Sequence, residues 1–187
     1  MITSLKIFEN NIHRELYHFT SLLNAISIAD SNEMFSYYGR ISTTRNKYLN
    51  RKKPPGISLG VRIVFDWNKI LEDYETKPFT YSKELTFEEE ELISTKDFVN
   101  IKKYIISIDL ILKDIQDTEN IGIHDDDEMN SFQLIDSDCK EVEDIYYSGY
   151  YTKEGKWSSK FLDKCKEYFE SKGLKVNMIK RENPHEI

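Results

Sequence analysis

His18, the hydroxyl run Ser42, Thr43 and Thr44 with Arg45 behind it, and four consecutive glutamates at 88–91 are the residues in this chain whose types and spacing could do chemistry. An arginine following a hydroxyl-bearing strand offers a planar fork that fits a phosphate, while the hydroxyls can donate to oxygen acceptors. The charge pattern points the same way. Residues 34–65 contain no Asp or Glu but carry Arg40, Arg45, Lys47, Arg51, Lys52, Lys53 and Arg62, in a chain of formal net charge -7. An anionic ligand is expected there. Singly, each feature has a plainer reading: a strand histidine is usually a packed residue, and a glutamate run is usually a solvated face.

The elements that must position these residues are legible from periodicity and caps. A strand is expected at 16–20, then an amphipathic helix capped by Ser21 and stopped near Asp30, Ser31 and Asn32. A strand at 41–44 follows. The segment 46–60, with Lys52, Lys53, Pro54, Pro55 and Gly56, cannot sit inside a strand or helix, and reads as an exposed loop able to close on a ligand. Residues 61–66 form the best strand, and Asp66 is placed to cap a short helix to about 74. The segment 75–87 reads as irregular, and 104–108 as a buried strand rather than the middle of a helix. Twelve acids stand against Lys140 alone between 114 and 144, a density that predicts surface loop by self-repulsion. A short strand at 146–151, a helix from Ser158 or Ser159 ended by Lys172 and Gly173, and a strand at 174–179 complete the reading.

Strands broken by single helices without a βαβ rhythm predict an α+β fold with a mixed, mainly antiparallel sheet. A chain of 187 residues fits a single domain, 1–187, with a core at about 15–112, an acidic loop region at 114–144, and a C-terminal helix and strand at 158–180. Seven glycines, with no glycine-rich phosphate motif, argue against a nucleotide-binding P-loop or dinucleotide fingerprint. Cys139 and Cys165 have no metal-ligand spacing, so reduced structural thiols and no metal are expected. No apolar run reaches membrane length, and the first residues lack the pattern of a secretion signal; a cytoplasmic location is the expectation.

In their order along the chain, these motifs resemble the ADP-ribosyltransferase superfamily. They are most similar to a group of small phage-encoded proteins with such a core. The elements that carry the resemblance are Tyr17, His18 and Thr20; Ser42, Thr43, Thr44 and Arg45; the apolar strand at 61–66 ending in Asp66; and Glu88, Glu90 and Glu91 before Leu92 and Ile93. They span about residues 15–110. The resemblance implies an ADP-ribosyltransferase-like split sheet with a few short helices, NAD as the bound cofactor, and an unknown host macromolecule as acceptor. It further implies His18 as a donor to a ribose hydroxyl, Ser42 and Thr43 bracing the nicotinamide end, Arg45 on the pyrophosphate, and a catalytic glutamate. Glu90 is the first choice. Four consecutive acids leave the register open to Glu88 or Glu91, and the group often has a basic residue where this chain has Leu92.

Other readings compete. The acidic block at 114–144 fits a non-enzymatic inhibitor that binds a host defence protein or a nucleic-acid-binding protein by its charge. Direct binding of nucleic acid is not indicated by a net negative chain. A phosphoesterase would need a second His-x-Thr pair, which the chain lacks, and a metal nuclease built on His124, Asp125, Asp126, Asp127 and Glu128 would need adjacent acids to converge on one ion.

Overall fold

The computed structural model describes residues 14–36, 39–48, 60–78, 90–117 and 126–180. In chain order these form β1 (Glu15–Thr20), α1 (Leu22–Ser31), β2 (Glu33–Phe35), β3 (Arg40–Thr44), β4 (Val61–Asp66), α2 (Trp67–Asp73), β5 (Glu75–Pro78), β6 (Glu90–Ser94), β7 (Asp97–Val99), a 3-10 turn (Ile101–Lys103), β8 (Ile105–Ile111), α3 (Leu112–Asp117), α4 (Asp126–Gln133), α5 (Val142–Tyr147), α6 (Ser159–Ser171) and β9 (Val176–Ile179). The fold is α+β. Seven strands make one sheet in the order β5-β6-β3-β1-β4-β8-β9, and β2 pairs with β7 in a small second sheet. Every pairing is antiparallel except that of β8 with β9.

Local chemistry sets the element ends. The Ser21 hydroxyl accepts the Asn24 N–H at 3.2 Å and starts α1. Asn32 closes it in the left-handed conformation, φ 59°, which asparagine tolerates. Its side-chain oxygen then accepts the Lys102 N–H at 2.9 Å, tying α1 to the 3-10 turn before β8. The Asp66 carboxylate caps α2 through the Lys69 N–H at 3.2 Å, and Ser158 caps α6 through the Phe161 N–H at 3.4 Å.

The two faces of the large sheet differ, because side chains alternate along each strand. Leu16, Ile41, Ile63, Phe65, Ile93, Ile108 and Leu110 face the main core, which also takes Leu23 and Ile26 from α1, Phe132 from α4, Ile145 from α5 and Phe161 and Phe169 from α6. Tyr17, Phe19, Val64 and Ile111 form a smaller cluster on the opposite face. Gly60, just before β4, lies against the backbone of Ile115 in α3.

Three expectations fail. Much of the acidic stretch is helical where it is described: α4 and the start of α5 lie in it, joined by turns and irregular backbone at 134–141. Asp126, Asp127 and Glu128 occupy the first turn of α4, and Glu143 and Asp144 that of α5, where the helix dipole favours negative charge. Phe132, Cys139 and Ile145 anchor the stretch in the core. The strand expected at 146–151 is instead the end of α5, followed by a single bridge between Tyr151 and Trp157. The segment read as irregular opens with β5, which is held by its pairing to β6 and by the Trp67 indole donating to the Thr76 hydroxyl at 3.1 Å. The loop residues 49–59, including Arg51, Lys52 and Lys53, lie outside the described residues.

Candidate functional site

β1, β3 and β6 are neighbours in the sheet, and their registers decide which candidate residues can meet. Tyr17 pairs with Thr44, Thr43 with Glu91, and Ile41 with Ile93. Leu16, Ile41 and Ile93 belong to the main core, so His18, Thr43 and Glu91, each two residues along its strand from one of them, share that face. Thr20 lies on the same face, one step beyond His18. Tyr17 stands on the opposite face, and so do Thr44, its pairing partner, and Ser42, which is exposed. The structure thus brings together His18, Thr43 and Glu91 and leaves Tyr17, Ser42 and Thr44 behind the sheet. Glu90 pairs with Thr44 through its backbone, and Glu88 lies outside the described residues.

The contacts on the shared face are polar and directed. His18 Nδ1 donates to the Ser42 carbonyl at 2.8 Å. A carbonyl only accepts, so in the neutral ring the proton sits on Nδ1 and Nε2 is left as an acceptor. Desolvation lowers the His18 pKa below its ordinary value of 6.5, only partly countered by that hydrogen bond, so the ring is neutral near pH 7. The neutral ring thus offers an acceptor at Nε2, where the resemblance implied a donor. The Thr43 hydroxyl donates to the Glu91 carbonyl at 2.5 Å and fixes the β3–β6 register at the acid. Arg45 follows β3, and its Nε lies 3.8 Å from Glu91 Oε2. The Arg45 side chain is 45% exposed and that of Glu91 5%.

Arg62, expected within the anion-binding region, serves another purpose. It projects to the opposite face, where Nε and Nη2 both donate to Asp109 Oδ2, at 2.9 and 2.7 Å. Asp109 Oδ1 accepts from the Ser107 hydroxyl at 3.0 Å and from Asn177 Nδ2 at 2.7 Å. Nη1 donates to the Lys47 carbonyl at 2.7 Å, which anchors the chain just beyond Arg45. The guanidinium also lies 5.6 Å from the Tyr17 ring centre, and the Tyr17 hydroxyl donates to Glu15 at 2.5 Å. Burial, helped by the bond to Glu15, pushes the Tyr17 phenol well above its ordinary pKa. Sequence reasoning missed this network. Its signal was Ser107 and Asp109 at a spacing of two within an apolar run, which places both on one face of a strand.

Among the described residues no three His, Cys, Asp or Glu side chains come together as a metal-ligand set, and no helix is long and apolar enough to cross a membrane. Compared with models of known protein families and with curated proteins, the sequence has no match. A functional reading therefore rests on the motifs and on where the strands place them.

Proposed function

We propose that this chain is an ADP-ribosyltransferase-like protein of phage or mobile-element origin that binds NAD in the cytoplasm. It transfers ADP-ribose to a host macromolecule or cleaves NAD. The observation that carries the reading is the convergence of His18, Thr43 and Glu91 on one face of three adjacent strands, with Arg45 at its edge. The resemblance supplies the chemistry, and the pairing of Glu91 with Thr43, on the face shared with His18, supports Glu91 as the acting carboxylate. The residues fit the dinucleotide. Arg45 is half exposed, and 3.8 Å from Glu91 exceeds a hydrogen bond, so its guanidinium can turn to a pyrophosphate.

When the bond between nicotinamide and ribose breaks, its electron pair leaves with the nicotinamide and positive charge grows on the ribose. A carboxylate fixed beside that carbon stabilises the charge most when it is largest, in the transition state. His18 Nε2 accepts from a ribose hydroxyl and orients the sugar, while Thr43 keeps Glu91 in register.

The test separates binding from chemistry. Glu91→Gln keeps shape and removes charge, so NAD should bind within a few-fold of wild type by titration calorimetry while turnover falls about a hundred-fold or more. Arg45→Ala should weaken NAD binding about ten-fold. A wild-type protein that gives no heat with millimolar NAD would end the proposal. Full turnover in Glu91→Gln with loss in Glu90→Gln would move the carboxylate to Glu90.

A further inference from the structure

We propose that the outward face of α5, where Val142, Tyr146 and Tyr147 are exposed beside Glu143, docks a lysine- or arginine-rich segment of a partner protein. The surface is separate from the strands assigned to NAD and stands whether or not NAD binds. Tyr147 is 88% exposed, Tyr146 60% and Val142 38%. A helix of six residues that leaves three large apolar side chains in water while burying only Ile145 has a face its own fold does not use.

The Tyr146 ring of this face is braced. Tyr146 stacks on Tyr151 with ring centres 5.3 Å apart, Tyr151 on Trp157 at 4.3 Å, and Trp157 on Phe161 at 4.2 Å. This ladder runs from the surface into the core, where Phe161 is fully buried and stacks on Phe132 at 5.0 Å. Tyr146 is thus held in place before any partner arrives, which reduces the entropy lost on binding. Rigid, half-exposed tyrosines are the commonest anchors of protein interfaces.

Charge decides which partner fits. Residues 126–147 hold eight acids against Lys140 alone. Not all of that charge is free. Asp144 accepts the N–H groups of Lys140, at 2.8 Å, and Glu141, at 3.0 Å, and these bonds lower its pKa. Glu143 is exposed and sits three and four residues before Tyr146 and Tyr147, which makes it their neighbour on the helix surface. A carboxylate beside two aromatic rings offers an ammonium or guanidinium both an ion pair and a cation–π face. A nucleic acid meets repulsion at the same place.

Oligo-lysine and oligo-arginine peptides are suitable probes, with oligo-glutamate and single-stranded DNA as controls. The basic peptides should bind the intact protein at low salt, shift the amide resonances of α5 and weaken as salt rises. Replacing both Tyr146 and Tyr147 by Ala leaves the net charge unchanged, yet should weaken the basic peptides about ten-fold, whereas the corresponding Phe variants should retain binding. Tyr147→Ala alone, at a position almost fully in water, should weaken them a few-fold with an unchanged melting temperature. Absence of binding, equal binding of the acidic controls, or affinity unaffected by losing both rings would each overturn the proposal.

Discussion

Asp109→Asn keeps the size of the side chain and removes the charge that Arg62 needs. Arg62 is 2% exposed and directs two of its donors to one oxygen of the carboxylate whose charge would be removed. Breaking a buried ion pair from one side costs about 3–5 kcal/mol, because the remaining charge stays dry and unpaired. Against a total stability of roughly 5–15 kcal/mol for a folded domain, that is a large part of the whole. In a chain of this length each kcal/mol moves the melting temperature by about 2–4 °C, so a fall of about 6–20 °C is expected. Urea and thermal melts followed by circular dichroism measure it directly. Replacing both partners, Arg62→Met with Asp109→Leu, should be better tolerated than Asp109→Asn alone, since no buried charge is left over. A loss below about 1 kcal/mol for Asp109→Asn would refute the reasoning, because it would mean the pair is solvated.

Two further outcomes follow from the geometry. A Cβ at Gly60 would lie 2.4 Å from Ile115 Cγ1 and 2.8 Å from the Ile115 backbone nitrogen, so Gly60→Ala should force α3 away from β4 and destabilise by about 1–3 kcal/mol in a urea melt, and an unchanged midpoint would contradict that contact. His18 has a folded pKa below its ordinary 6.5, so the unfolded chain takes up the proton first and stability should fall as pH drops through about 6.5; His18→Gln should flatten that part of the stability–pH curve, and an identical slope in the variant would assign the effect to other groups.

Much of the fold could be read from the sequence because its signals are local. Ser21, Asp66 and Ser158 each cap the helix that follows, and 61–66 pairs as a strand on both sides, with β1 and β8. What the sequence hid was set at longer range. Charge density made 114–144 look like loop, yet in its described part Phe132 and Cys139, with Ile145 just beyond, are buried against the repulsion, and five of the acids occupy helix starts that favour them. β5 has little strand character of its own and exists through β6. The four glutamates carry no phase, so the motif alone left their register undecided. Ile93 does carry phase: it is fully buried, and two residues before it on the same face stands Glu91.

Among the described residues of the sheet, the Arg62–Asp109 and Arg45–Glu91 pairs differ, and the contrast between them bears on the site. Arg62 and Asp109 are closed: both are dry, at 2.7 and 2.9 Å, and the second carboxylate oxygen is filled by Ser107 and Asn177. That is how a fold completes a buried charge. Arg45 and Glu91 are open. Their separation of 3.8 Å gives attraction without a hydrogen bond, and the arginine is half in water while the carboxylate is not. A buried acid with so loose a cation beside it is costly for stability unless another charge completes it. The dinucleotide proposed above would do this from both ends, drawing Arg45 to its pyrophosphate while the ribose develops positive charge against Glu91. On this argument Glu91→Gln should leave the free protein as stable as wild type, or more so, even as it removes turnover. If Glu91→Gln instead lost about as much stability as Asp109→Asn, the Arg45–Glu91 pair would be a second structural lock, and the carboxylate proposed for catalysis would have to be sought elsewhere.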